Sequence, residues 1–145
     1  MNAFYTFFAV APKGMESLLV DELKALGADG VKASRSGAFF QGDLETGYRA
    51  CLWLRTANRV LLPLARFQAE TPEALYDGVR NIPWGEHLEP DGSLAVDLSS
   101  SLSQIHHSRY GALKVKDAVV DQFRDQFGIR PSVDLSRPDI RLNVY

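Results

Sequence analysis

The 145-residue sequence has a single cysteine, Cys51, so no disulfide closes within it and no thiolate cage holds zinc. It lacks any run near the roughly 18 apolar residues of a membrane span. It has no basic segment ahead of its first short apolar stretch, so its start does not read as a secretory leader. Neither G-x-G-x-x-G nor G-x-x-x-x-G-K-[ST] occurs, so no phosphate-cradling glycine loop is encoded. No G-x-S-x-G elbow exposes a nucleophilic serine. Glu86-His87 lacks the H-E-x-x-H spacing that sets two histidines on one helical face. A basic excess is missing too. The net charge is −2, which argues against a simple nucleic-acid clamp.

What is present is a globular composition, 46% hydrophobic and 23% charged, and a segregated charge. Residues 1–31 have a balance of −2. Residues 32–68 carry Lys32, Arg35, Arg49, Arg55, Arg59 and Arg66 against Asp43 and Glu45, a balance of +4. Residues 69–101 carry only Arg80 against seven acids, and residues 102–145 have a balance of +2. Two basic tracts thus flank an acidic one. That asymmetry supports an anionic partner on one face despite the acidic total.

Hydrophobic periodicity predicts a strand over 4–10, a helix over 16–26 closed by Gly27, and strands over 31–35 and 38–41 around a Ser36-Gly37 turn. A helix over 44–57 follows, capped by Asp43, with Leu44, Tyr48, Cys51, Leu52 and Leu54 on its apolar side. Cys51 reads as a small core residue. A strand over 59–67 contains Pro63, which suggests an edge position. This order is the split βαββαβ pattern of a ferredoxin-like unit over residues 1–68. Beyond it, Thr71 caps a short helix with Pro72 in its first turn. A half-buried strand covers 94–99, the longest helix 109–127 and a last strand 140–144. Few strands and helices fall in 69–145 for an independent core. The expectation is a fragment that begins at its native Met1 and gains further strands beyond residue 145.

Tests for chemistry find little. His106 and His107 are adjacent and cannot face one site together. With Asp97 and the nearby serines they would make only an imagined triad, the basis of a free-standing hydrolase reading. The run Asn81-Ile82-Pro83-Trp84 resembles the Asn/Asp-Pro-Pro-aromatic loop of amino-group methyltransferases. Ile82 breaks the pattern, and the simpler reading makes Ile82 and Trp84 core residues after a helix stop.

On a helical wheel, Ala112, Leu113, Val115, Val119, Val120, Phe123 and Phe127 of the long helix form a broad apolar face. Arg109 and Lys116, seven apart, project within the range of that face. A charge there must snorkel, pair with a carboxylate such as Asp97 or Asp139, or meet an anion. Arg109 lies in the first turn, beside backbone N–H groups that can hold phosphate. Lys114, Arg124 and Arg130 are basic and predicted exposed, the usual phosphate contacts.

Residues 110–121, YGALKVKDAVVD, resemble the helix signature of the THUMP domain, and 137–144, RPDIRLNV, resemble the strand that follows it. PKGME at 12–16 and GAFF at 37–40 resemble the ferredoxin-like domain that precedes THUMP. LWLRTANRV at 52–60 and QIHHSRYG at 104–111 are similar to the N-terminus of bacterial large-subunit ribosomal RNA guanine-N2 methyltransferases of the RlmL/RlmKL type. The resemblance implies an α+β chain, a ferredoxin-like domain over 1–68 and an α/β THUMP domain over 69–145 that is incomplete at its C-terminus. It implies a cytoplasmic, non-catalytic RNA-binding module that positions large-subunit ribosomal RNA. A methyltransferase domain would follow in cis and use S-adenosylmethionine, with no cofactor or metal in this chain and no membrane contact. The expected RNA-binding residues are Arg109, Lys114, Lys116, Arg124, Arg130 and Arg137, with Lys32, Arg35 and Arg55 as a second patch. The alternative is a protein-interaction or dimerisation module using the strand edge near Pro63 or the end at Tyr145.

Overall fold

The computed structural model describes residues 3–99 and 108–145. Ser100, Ser101, Ser103, His106 and His107 lie outside the described residues. The chain divides into two compact units between Leu64 and Ala65, four residues ahead of the boundary expected from composition.

The first unit runs β1 (Tyr5–Val10), α1 (Glu16–Ala25), β2 (Asp29–Ser34), β3 (Gly37–Gly42), α2 (Leu44–Trp53) and β4 (Arg59–Leu61). Its strands form one antiparallel sheet in the order β2-β3-β1-β4. Alternation sorts the side chains. Phe7 and Ala9 of β1 and Ala38 and Phe40 of β3 are buried with Leu19 and Leu23 of α1 and Ala50 of α2. Phe7 and Phe40 stack with ring centroids 5.2 Å apart.

Local chemistry sets the boundaries. Gly27 ends α1 with φ of 82°, and the Gly27 and Ala28 N–H groups donate to the carbonyls of Lys24 and Leu23 (both 3.1 Å). This is a Schellman cap. Asp43 caps α2 by accepting from the Thr46 N–H at 2.8 Å. The β2–β3 turn is centred on Arg35 and Ser36, not on Ser36 and Gly37: Ser34 pairs with Gly37, and Ser36 has φ of 59°. Gly37 is needed in the sheet, because a Cβ there would lie 2.1 Å from the Ala9 carbonyl oxygen.

Three expectations for this unit need correction. Helix α2 stops at Trp53, four residues early, because Glu22 of α1 captures the chain beyond it. The Glu22 carboxylate accepts from the Thr56 hydroxyl (2.6 Å) and from the Arg55 and Thr56 N–H groups (both 3.2 Å). Strand β4 is three residues long instead of nine, since Pro63 has no N–H to extend the ladder. Of the predicted apolar side of α2, Leu54 packs against the core and the rest does not. Leu44, Tyr48, Leu52 and Trp53 are exposed, and so is Cys51. Gly47 and Ala50 face the sheet instead. A Cβ at Gly47 would meet the Phe7 ring at 2.7 Å, so the closest helix–sheet approach selected the smallest side chains, and the large ones point away.

Burial works against the Glu22 charge, but the bonds from Thr56 and Arg55 prevail and hold its carboxyl below the ordinary 4.5. With the folded value depressed, the stabilisation is present above about pH 4.5 and is lost as pH falls through the folded value. Glu22→Gln is therefore expected to cost about 1 kcal/mol at pH 7 and almost nothing at pH 3. Urea midpoints of both proteins at the two pH values check this. An equal loss at both would remove the charge from the explanation.

The second unit runs α3 (Pro72–Arg80), a single 3-10 turn (Trp84–Glu86), β5 (Ser93–Leu98), α4 (Ser108–Phe127), β6 (Ser132–Val133) and β7 (Ile140–Val144). The strands form a parallel sheet in the order β6-β5-β7. Thr71 caps α3 through the Ala74 N–H at 3.1 Å. Leu75, Val79, Trp84, Leu88, Leu94, Val115, Ala118, Val119, Phe123 and Leu142 build the core. Asn81-Ile82-Pro83-Trp84 belongs to it. The Trp84 indole N–H donates to the Val79 carbonyl at 2.8 Å, and Ile82 packs alongside the cluster.

Candidate nucleic-acid interface

Helix α4 carries four of the six expected contact residues. Its buried face is made by Gly111, Val115, Ala118, Val119, Val120, Gln122 and Phe123. Leu113 and Phe127, predicted inside, are half exposed at 50% and 51%. A hydrophobicity wheel gives no weight to Gly111 and Gln122, which lie inside. The buried face is therefore centred away from Arg109, which is exposed, while Lys116 falls on the wheel between Phe123 and Val120 at its border and is half-buried.

Gln122 is the largest surprise in the core. Its amide nitrogen donates to the Arg80 and Ile82 carbonyls (2.6 and 2.7 Å), and its Oε1 accepts from the Trp84 N–H (3.0 Å). One buried amide thus satisfies the end of α3 and the turn after it.

The exposed part of α4 is not uniformly basic. Asp117, Asp121 and Asp125, four apart, form a ridge along it. Asp121 accepts from the Tyr76 hydroxyl at 2.6 Å, and Asp125 pairs with Arg80. Arg80 also donates to Tyr76 at 2.8 Å. The bond to Asp121, aided by burial, raises the Tyr76 phenol above its ordinary value. These acids hold α3 on α4. The signal for them was legible as Tyr76 and Arg80 four apart facing acids four apart, and the sequence reading overlooked it.

Among the expected contacts, Arg109 is exposed at the start of α4, and no carboxylate pairs with it among the described residues. Lys116 is half-buried two turns on, with its ammonium beside the neighbouring Asp117. The suggested internal partners are engaged elsewhere. Asp97 accepts from Arg141 at 2.9 Å, and Asp139 accepts from the Ser93 N–H at 2.9 Å. Lys114 lies on another side of the helix, over the Tyr110 ring at 5.6 Å. Arg124 is 3.9 Å from Asp121, so its charge is partly offset. Arg130 is exposed beyond the far end of α4, about 30 Å from Arg109 by helical rise. Arg137 is exposed in the turn that Asp134 closes by accepting its N–H at 3.0 Å. The structure therefore joins Arg109 and Lys116 on one flank and leaves the other four apart. Lys32, Arg35 and Arg55 are exposed in the first unit. Among the described residues, no group of three or more His, Cys, Asp or Glu is placed to hold a metal ion. No described helix is long and apolar enough to cross a membrane.

Comparison with known families matches residues 69–145, the whole α3-to-β7 unit, to the THUMP domain. The chain belongs to the THUMP domain family. Ahead of it, residues 6–61 match the RlmL ferredoxin-like domain, which accounts for the βαββαβ sheet. Two curated relatives are named ribosomal RNA large subunit methyltransferase K/L. The one from Syntrophotalea carbinolica is 59% identical over 145 residues, covering 100% of this chain and 20% of that protein. The one from Methylococcus capsulatus is 60% identical over 139 residues, covering 96% and 19%. This THUMP chain thus spans about a fifth of the length of the curated relatives it matches. Among solved structures, SMU.472 complexed with SAH superposes with a TM-score of 0.84 at 26% identity, over 100% of this chain and 40% of that one. TrmN from Thermus thermophilus gives 0.69 at 27% identity, over 97% and 41%.

Proposed function

We propose that this THUMP chain is the RNA-binding module of a cytoplasmic, S-adenosylmethionine-dependent ribosomal RNA methyltransferase. It positions large-subunit ribosomal RNA for methylation at guanine N2 by a catalytic domain in the same polypeptide. The observation that supports this reading is the flank of α4, where Arg109 and Lys116 lie about 10 Å apart along the helix within the THUMP-matched residues. Phosphate contacts fix register without reading sequence, the requirement for a module that presents RNA to a separate site. Arg130 and Arg137 belong to outlying contacts in this reading, and Lys114 and Arg124 to separate contacts on other sides of α4.

Among the described residues, no glycine-lined backbone cradle is placed for S-adenosylmethionine. The glycines with positive φ, Gly14, Gly27, Gly30 and Gly128, are separated in sequence and build no consecutive backbone cradle. No step of methyl transfer is assigned to the described residues.

The test is binding of a large-subunit ribosomal RNA hairpin at about 50 and 200 mM salt. Affinity is expected to fall steeply with salt. Arg109→Ala with Lys116→Ala is expected to weaken binding about tenfold at the lower salt and to reduce the salt slope by about 2. An unchanged slope in a folded variant would reject this assignment. The exposed apolar residues of α2 favour a second reading, self-association, which would persist at the higher salt where phosphate binding fades.

A further inference from the structure

The sheet of the first unit has a second face that its core does not use. One row of register partners crosses all four strands: Lys32 on β2, Phe39 on β3, Phe8 on β1 and Leu61 on β4. None of the four belongs to the cluster formed with α1 and α2. Phe8 and Phe39 occupy the two central strands, with ring centroids 4.7 Å apart and planes inclined at 55°. Phe39 is 39% exposed. In the adjacent row, Gly37 lies between Val10 and Ser34, and Arg59 is opposite Val10. A Cβ at Gly37 would meet the Phe8 ring at 2.7 Å, so the missing side chain lets that ring lie close to the sheet. In the row on the other side, Gln41 and Thr6 are polar and exposed.

An open four-stranded antiparallel sheet with aromatics on its two middle strands and cations at its borders suits unpaired bases. Rings stack on bases, and the cations meet the adjoining phosphates. We propose that Phe39, supported by Phe8, is a base-stacking platform for single-stranded RNA, with Lys32 and Arg59 beside the backbone. Lys32 and Arg59 on the two edge strands, against the exposed Asp29 opposite Gln41, leave this face with a basic balance, which favours RNA over an apolar protein partner. The proposal rests on RNA being the ligand of this chain. It differs from the α4 site in reading bases instead of phosphates.

The test uses a fluorescein-labelled ten-nucleotide adenosine RNA, with anisotropy at about 50 mM salt, on the 145-residue chain. Phe39→Leu keeps apolar area and removes the π-face. It is expected to weaken binding about tenfold, whereas Phe39→Tyr stays within about twofold of the parent. Inorganic polyphosphate, which offers charge without bases, is expected to bind parent and Phe39→Leu alike. Equal RNA affinity of parent and Phe39→Leu overturns the platform, and so does failure of the parent to bind this RNA. Loss of a dimer in Phe39→Leu by sedimentation, with RNA affinity unchanged, assigns the face to protein contact and also overturns it. The α4 double variant is expected to retain the Phe39 dependence. A Phe39 effect without an α4 effect therefore rejects only the α4 assignment, and the reverse rejects only the platform. Unchanged thermal midpoints in Phe39→Leu and Phe39→Tyr control for folding.

Discussion

Trp84→Ala is expected to destabilise the second unit by about 4 kcal/mol, enough to populate its unfolded form visibly. Two losses combine. Trp84 is 3% exposed in the cluster that joins α3, α4 and β5, and removing its ring leaves a cavity among groups fixed by three elements. The Val79 carbonyl also loses its indole donor, at a further cost of about 1 kcal/mol. Trp84→Phe separates the two effects, since it keeps most of the ring and loses the bond. It is expected to cost about 1–2 kcal/mol. Hydrogen exchange locates the effect, with amides of α4 and β5 expected to exchange faster while those of β1 and β3 hold. A loss below about 1 kcal/mol for Trp84→Ala would mean that Trp84 is not central to this core.

Gly37→Ala is the matching experiment in the first unit. One methyl group is expected to cost at least about 3 kcal/mol, well beyond an ordinary Gly→Ala change in a strand. The Cβ would stand 2.1 Å from the Ala9 carbonyl oxygen, a backbone atom that cannot swing aside. Gly37 pairs with Val10 on one side and Ser34 on the other, so a shift on β3 disturbs both ladders. Denaturant melts followed by exchange of β1 and β2 amides check this. A stability within about 0.5 kcal/mol of the parent would show that the sheet yields at this point.

Much of the fold was legible from local pattern. The caps at Asp43, Thr71 and Gly27, the long helix stopped by Gly128 and the last strand all follow from spacing and turn chemistry. These act within a few residues. The errors share a different origin. Helix α2 was read as burying Leu44, Tyr48 and Leu52, yet it rests on Gly47 and Ala50. Helix α4 was aimed at Leu113 and Phe127, yet it turns Gly111, Ala118 and Gln122 inward. In both cases the residues at the closest approach are small or singly polar, and a hydrophobicity wheel gives them no weight. The site suffered in the same way. Six basic residues were expected to meet RNA, but only Arg109 and Lys116 share a flank, because Asp117, Asp121 and Asp125 occupy the neighbouring surface.

By itself the sequence determined the order of elements apart from the short β6, the two-part organisation and the segregation of charge, because periodicity, caps and composition are local properties of the chain. Tertiary structure alone decided which face of each helix is inside, that Gln122 and Trp84 lock α3 to α4, and that Phe8 and Phe39 meet on an open sheet face. Those outcomes depend on strand register and on how closely backbones approach. Both bring together residues 27 or more apart, which no local window compares.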